Sequence, residues 1–285
     1  MRAALALLAA LAVALAPSAA GTAKPSIPAF KHVFVVVLEN KESDRIAANP
    51  DAPQFNRFAK QGARLARYFA VAHPSLPNYV ALVSGSTQGI TSDCTTCSVD
   101  ARSLADTLEA AGKTWKTYAE GLPAPGWTGA YVGRYAKKHD PFLYFRAVAS
   151  HVRRRERVVP LPQLGRDLRA RRLPDFSLVV PDLCHSMHDC SVSLGDAWLG
   201  RFLRSVLSSR ELRGSVVFVV FDEGSTSVEG GGHVAALAVG PAVRPGSRTT
   251  KAITHYGLLR TIEDAWRLPR LGRSAGATPI TGIWR

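Results

Sequence analysis

Residues His32–Asn40 read HVFVVVLEN, and every position from Val33 to Leu38 is apolar and mostly β-branched. A strand with one wet face alternates apolar and polar residues. A run that is apolar throughout belongs to a strand covered on both faces, the condition inside a largely parallel sheet flanked by helices. Asp175–Asp182 (DFSLVVPD), Gly214–Gly224 (GSVVFVVFDEG) and His233–Pro241 (HVAALAVGP) repeat the pattern. Between them, Ala52–Val71 has helical spacing up to a Gly62 break, and Ala101–Gly121 reads as a helix, a stop at Gly112 and a strand. Asp196–Ser209 and His255–Leu268 are amphipathic helices, while 122–173, rich in proline, aromatic residues and arginine, reads as a long irregular insertion. Alternating strands and helices predict an α/β/α sandwich with a mainly parallel central sheet.

The first twenty residues, MRAALALLAALAVALAPSAA, carry one arginine, an Ala/Leu run and a small-residue end at Ser18-Ala19-Ala20. Those are the three parts of a secretory signal peptide. The run is shorter than the roughly 20 apolar residues a membrane helix needs, and Pro17 interrupts it. The expected product is one domain over residues 21–285, exported to the periplasm or the extracellular space.

The formal charge of +14 favours an anionic partner such as a phosphate ester or an acidic lipid head group. Much of the excess lies in His151–Val159 (HVRRRERVV) and Gly165–Pro174 (GRDLRARRLP). Neither run has the aromatic interleaving or glycine loop of a nucleic-acid module, so nucleic acid is not the expected partner. A solvated basic face and a docking patch for an anionic surface are the two readings. Oligomeric state is not legible. The four cysteines form two close pairs, which in an exported chain favours local disulfides Cys94–Cys97 and Cys184–Cys190. Cross-pairing and a four-cysteine Zn²⁺ site are the alternatives.

Ligands of open α/β sheets collect at the carboxyl ends of the strands. Here those ends carry Glu39-Asn40, then Asp182 with His185, His188 and Asp189 just beyond, then Asp222-Glu223. One acidic residue after a strand is commonly a helix cap. Three strands delivering oxygen donors to one edge point to a divalent cation, because neighbouring carboxylates repel until a cation or protons neutralise them. Oxygen and imidazole donors suit Zn²⁺, Mn²⁺, Fe²⁺, Mg²⁺ or Ca²⁺. In Ala72–Ser86, AHPSLPNYVALVSGS, Ser75 sits on a turn stiffened by Pro74 and Pro77, where a serine acts as a helix cap or as a nucleophile.

VFVVVLENKESD, HPSLPNYVALVSG, VPDLCHSMHDCSVSLGDAWL, FDEG and THYGLLRTIED, with GRYAKKHDPFLYF and the TPITGIW tail, occur in an order that resembles bacterial phosphoesterases of the alkaline phosphatase superfamily. The resemblance is to their secreted acid phosphatase branch, sometimes described as phosphatidylinositol-3-phosphatase, and more distantly to bacterial phospholipases C. It covers nearly the whole chain from Phe30. It implies a metal-dependent phosphomonoesterase, acting on anionic esters such as phosphoinositides at a membrane surface. Ser75 becomes nucleophile and metal ligand, and the resemblance places Glu39, Asn40, Asp222 and Glu223 around that metal. His188, with Asp182, faces the phosphate or a second metal. Asn78 lies near the phosphoryl oxygens, His139 holds substrate, and His255 approaches from the last helix. Relatives often carry Asn-Asp where this chain has His185-Ser186, and the GGGHV segment makes His233 either a further ligand or a loop residue. A phospholipase C-type phosphodiesterase and an inactive binding protein are the competing readings.

Elsewhere the residues read as structural. His32 and His151 are expected at the surface and Trp115, Trp198 and Trp266 in the core. Asp196 is expected to cap the helix that follows it.

Overall fold

The computed structural model describes residues 27–285; the signal-peptide reading falls on residues outside that range. The opening run forms β1 (Val33–Leu38), buried at all six positions as its composition requires. A short helix α1 (Pro53–Gln61) follows, closed by Gly62, and the chain returns as β2 (Ala63–Leu65) and β3 (Tyr68–Phe69). The Ser75 segment is α2 (Ser75–Ser84). Next come α3 (Leu104–Ala110), β4 (Trp115–Ala119) and a small hairpin of β5 (Tyr131–Val132) and β6 (Tyr135–Ala136).

The middle third departs from the expected irregular insertion. Behind the short helices α4 (Arg146–Ala149) and α5 (Val152–Arg155), β7 (Val158–Pro160) joins the edge of the main sheet, and α6 (Pro162–Arg169) packs after it. Three residues of pairing are too few for a periodic signal. The chain continues through β8 (Phe176–Val180), α7 (Val192–Leu207), β9 (Val216–Phe221), β10 (His233–Val234) and β11 (Ala236–Val239). It closes with β12 (Ser247–Thr249), β13 (Ile253–Thr254) and α8 (His255–Trp266).

The main sheet runs β12-β2-β11-β9-β1-β8-β4-β7. From β9 to β7 all neighbours are parallel, and β11 is antiparallel to β9. Its register positions the site. Leu38 stands opposite Phe221, so Glu39 and Asp222 emerge side by side. Ala119 stands opposite Val180, so Glu120 emerges beside the segment leading to Asp182.

Two structural readings are corrected. His32 is buried, 7% exposed, with Nδ1 2.8 Å from the Pro174 carbonyl, and burial lowers its pKa. Asp196 does not cap its own helix, whose N-cap is Ser191. It lies inside α7, and its carboxylate accepts from Gln54 N (2.8 Å) and Phe55 N (2.7 Å), capping α1 where the local N-cap, Ala52, has no acceptor. The three tryptophans are buried as expected, and His151 is exposed. Both local disulfides are present, Cys94–Cys97 and Cys184–Cys190. Of the basic runs, Arg154 pairs with Asp106 and Glu109, and Arg157 with Glu109, so part of the cationic surface is internally compensated.

Glu263 of α8 holds the next turn, accepting from Leu271 N (2.9 Å) and Ser274 Oγ (2.5 Å). Burial raises its pKa to about 7. A carboxyl whose folded pKa lies above its unfolded value (about 4.5) favours the fold when protonated. That stability is complete below about pH 4.5 and lost as pH rises through about 7. Glu263→Gln should therefore flatten the fall in melting temperature across this window. Thermal unfolding from pH 4.5 to 8 checks it, and a wild-type slope retained by the variant would contradict it.

Candidate active site

Ser75 is the first residue of α2, and the N-cap position is Pro74. The free N–H of Leu76 is met by Asp93 Oδ1 at 2.9 Å, so Ser75 is not needed as a cap. Its hydroxyl, 1% exposed, points at two carboxylates: Glu39 Oε2 at 3.3 Å and Glu223 Oε1 at 3.2 Å. The nucleophile candidate, the end of β1 and the end of β9 therefore meet in one place.

Each member is held by its surroundings. Asn40 takes a positive φ of 50°, which asparagine tolerates, and so turns its backbone N–H onto Asp222 Oδ1 at 3.0 Å. Its amide group lies 3.2 Å from both Asp222 Oδ1 and Glu39 Oε2. With nitrogen there it donates to both; with oxygen there it is one more ligand for a cation. Tyr79, one helical turn after Ser75, donates its hydroxyl to Glu39 Oε1. His73 binds Glu223 Oε2 through Nδ1 and the Thr226 carbonyl through Nε2 at 2.9 Å. The loop after Glu223 is fastened by Glu42, whose Oε1 accepts from Ser225 N (3.0 Å) and Thr226 N (2.9 Å). A Cβ at Gly224 would stand 2.3 Å from that oxygen, so a larger residue there would displace the Glu42 carboxylate.

The electrostatics are those of a site built for a cation. Glu39 and Asp222 are both 0% exposed. Burial, then the Asp222 charge, pushes Glu39 well above the usual carboxylate range, and burial raises Asp222. Glu223 is raised by burial and by Asp222, against the pull of His73. Burial opposes the charged form of His73, but the Thr226 carbonyl and Glu223 outweigh it and raise its pKa. Among the described residues no lysine or arginine forms an ion pair with these three carboxylates; their partners are the imidazoles of His139 and His73. His139 is buried against the Tyr79 ring, 5.0 Å between centroids. Its Nε2 lies 3.3 Å from Glu39 Oε2 with no hydrogen-bond partner. Burial, then Lys138 and His188, lowers its pKa well below normal, leaving a neutral nitrogen lone pair for a ligand. Four oxygen-bearing side chains, a hydroxyl and an orphaned imidazole nitrogen fit a divalent cation.

His188 stands behind His139, with ring centroids 6.3 Å apart and its Nδ1 2.6 Å from Asp189 Oδ1. Its loop is closed by Cys184–Cys190 and tied to β1 by Glu39 N donating to the Ser186 carbonyl at 2.9 Å.

Four expected site residues sit elsewhere. Asn78 spends its amide on the turn before Ser75: Oδ1 accepts from Val71 N and Ala72 N, and Nδ2 donates to the Ala72 and Pro74 carbonyls. It shapes the turn before Ser75, with its amide oxygen and nitrogen both engaged by backbone groups. His255 is buried behind the cluster, with Nε2 donating to the Asp222 carbonyl (2.6 Å) and Nδ1 accepting from Tyr68 (3.0 Å). Burial drops its pKa to about 4, so it is a neutral brace. His233 lies beside Phe69 with Nε2 3.0 Å from the Ala66 carbonyl, away from the carboxylates. Asp182 turns its Oδ1 to Cys184 N and His185 N, and groups with Glu120 and His185 in a separate half-buried cluster.

The sequence reading missed His73, Tyr79 and Glu120. Tyr79 stands four residues after Ser75 on the same helix face, a spacing legible in the sequence, whereas His73 precedes the helix and no periodicity marks it. Glu120 ends a strand as Glu39 and Asp222 do.

Comparison with known proteins places the chain in a family. The Phosphoesterase family profile matches residues 48–269. A phosphatidylinositol-3-phosphatase of Mycobacterium tuberculosis is 37% identical over 267 residues, covering 93% of this chain and 86% of that protein. An acid phosphatase of Aspergillus fumigatus is 29% identical over 90% of this chain, which spans only 61% of that longer protein. In fold, the chain is similar to an alkaline phosphatase superfamily protein from Vibrio parahaemolyticus, with TM-score 0.57, 15% identity, and 90% and 72% of the two chains covered. It is similar as well to a phosphonate monoester hydrolase of Silicibacter pomeroyi, with TM-score 0.58, 11% identity, and 90% and 78% covered. Matched by the family profile over most of its length, 37% identical to a phosphatase across 93% of its residues, and similar in fold to alkaline phosphatase superfamily proteins, this chain belongs to the Phosphoesterase family and hydrolyses phosphoric esters.

Proposed function

We propose that the chain is a secreted, metal-dependent phosphomonoesterase of the acid phosphatase type, with Ser75 as nucleophile. The observation that carries this reading is the Ser75 hydroxyl, buried and held 3.2–3.3 Å from Glu223 and Glu39 within a carboxylate cluster that, among the described residues, forms no ion pair with lysine or arginine. A divalent cation held by Glu39, Asn40, Ser75, Asp222 and Glu223, with His139 behind them, would neutralise those carboxylates and lower the pKa of the serine hydroxyl.

The remaining steps belong to the protein. Ser75 Oγ bonds to phosphorus as the ester P–O bond breaks, and its proton passes to Glu223 Oε1, which His73 fixes from the other oxygen. His188, oriented by Asp189 and half-exposed, gives a proton to the departing alkoxide. Water then attacks the phosphoserine, returning one proton to His188 and leaving the other on phosphate. Glu223 restores the serine hydroxyl as the P–Oγ bond breaks. Two prolines flanking Ser75 and the Asn78 clamp hold Oγ in line, so little orientation entropy is lost at the reaction.

The Mycobacterium relative's name supports a phosphoinositide as substrate, and the two disulfides support an oxidising compartment outside the cytoplasm. Among the described residues no helix is long and apolar enough to cross a membrane. A phospholipase C-type phosphodiesterase is the rival reading. Hydrolysis of matched phosphomonoesters and phosphodiesters, with and without chelator, separates the two. Monoester turnover that a chelator abolishes is expected; preference for diesters would overturn the assignment.

A further inference from the structure

A cavity of about 280 Å³ lies beside the nucleophile turn, close to the lower end of the roughly 300–1,000 Å³ usual for small-ligand sites. Its walls come from four segments distant in sequence: Val71–His73, Ser86–Thr91, Tyr256 at the start of α8, and the turn carrying Arg273. All four are fastened to the catalytic cluster or to its helix. Asn78 clamps the first, and the second follows directly from α2. His255, beside Tyr256, holds the Asp222 carbonyl. Arg273 N donates to the Gly85 carbonyl at 2.7 Å, at the far end of α2. Gly85 permits this closeness, since at φ +70° a Cβ would stand 1.9 Å from the Leu271 carbonyl oxygen. His73 is both a wall of the cavity and the partner of Glu223, whose other oxygen faces Ser75 Oγ. The His73 side chain and the Glu223 carboxylate link the cavity wall to Ser75.

The lining chemistry is polar. Among the described residues Arg273 makes no ion pair, and its guanidinium lies over the Tyr256 ring, 5.8 Å from the centroid. Ser86, Thr87 and Thr91, each bearing a hydroxyl, line the same cavity. An uncompensated guanidinium presents a rigid donor fork suited to phosphate, and hydroxyls serve a polyol rather than an acyl chain.

We propose that this cavity is a second substrate subsite, holding a further phosphate on a polyol whose scissile phosphomonoester lies at Ser75, with Arg273 as the specificity-determining residue. The subsite rests on the phosphomonoesterase reading above and names the substrate class that it favours: polyols bearing more than one phosphate.

The test compares inositol 1,3-bisphosphate with phenyl phosphate, which has no second anion. Arg273→Gln should lower the ratio of their kcat/KM values by about 10- to 100-fold, the change residing in KM for the bisphosphate, as loss of a charge-assisted hydrogen bond requires. Arg273→Lys should restore part of it. Thr87→Glu, which places a negative charge in the cavity, should reproduce the loss from a different wall. Calorimetry of inositol 1,3-bisphosphate on the Ser75→Ala background reads the subsite without turnover; saturable binding weakened at least about tenfold by adding Arg273→Gln is expected. A folded Arg273→Gln protein with unchanged ratio and unchanged binding would overturn the subsite while leaving the phosphomonoesterase reading intact. Arg273-dependent binding in a protein that hydrolyses neither ester would do the reverse.

Discussion

Ser75→Ala is expected to lower kcat by about a thousandfold or more while melting within a few degrees of wild type. The two halves of that expectation have different physical sources. Removing a covalent nucleophile closes the phosphoenzyme route, and what remains is the catalysis that positioning and electrostatics alone provide. Removing an N-cap costs about 0.5–2 kcal/mol of stability, but Ser75 does not fill that role, because Asp93 already meets the Leu76 N–H at 2.9 Å. Ser75→Thr keeps a hydroxyl but adds a methyl at a position 1% exposed between two prolines, so partial activity with lowered stability is expected. Steady-state kinetics and thermal unfolding on the same samples check both halves. An alanine variant with a substantial fraction of wild-type turnover would remove Ser75 from the mechanism.

Exhaustive dialysis against a strong chelator is expected to abolish turnover, and one divalent metal added back should restore it. Glu39 and Asp222 are fully buried with no lysine or arginine ion pair among the described residues, so burial disfavours their charged forms and a bound cation would offset that cost. Binding that cation to the folded state alone should stabilise it, by about 2.7 kcal/mol at a metal concentration of 100 times Kd. The melting temperature should therefore rise with added metal, a readout independent of catalysis. Asp222→Asn and Glu39→Gln should bind less metal by elemental analysis and lose both the activity and the melting shift. Full activity in protein shown to be metal-free would exclude this role for the cluster.

How much of this could be read without coordinates follows from the range of the interactions involved. The strands β1, β8 and β9 were legible because burial on both faces leaves an unbroken apolar run, and strand ends then follow directly. Glu39, Asp222 and Glu223 needed only that rule. Glu120 obeys the same rule, but the short strand before it, WKTYA, mixes polar residues and hides its end. Asn78 was singled out by the family resemblance and Asp196 as a cap for the helix that follows it, yet what each grips is fixed by its contacts in the fold: the turn before its own helix for Asn78, a helix about 140 residues earlier for Asp196. His255 and His233 share the same difficulty. A histidine near a motif is compatible with ligation or bracing, and only the partner atoms decide; here both spend ring nitrogens on backbone carbonyls.

Rapid acid quench tests the covalent phosphoserine most directly. Enzyme mixed with a phosphomonoester carrying labelled phosphate, quenched in milliseconds and digested, should yield label on the peptide containing Ser75 and none in the Ser75→Ala protein. Burst release of the alcohol with no label on that peptide, or label on a different residue, would contradict it.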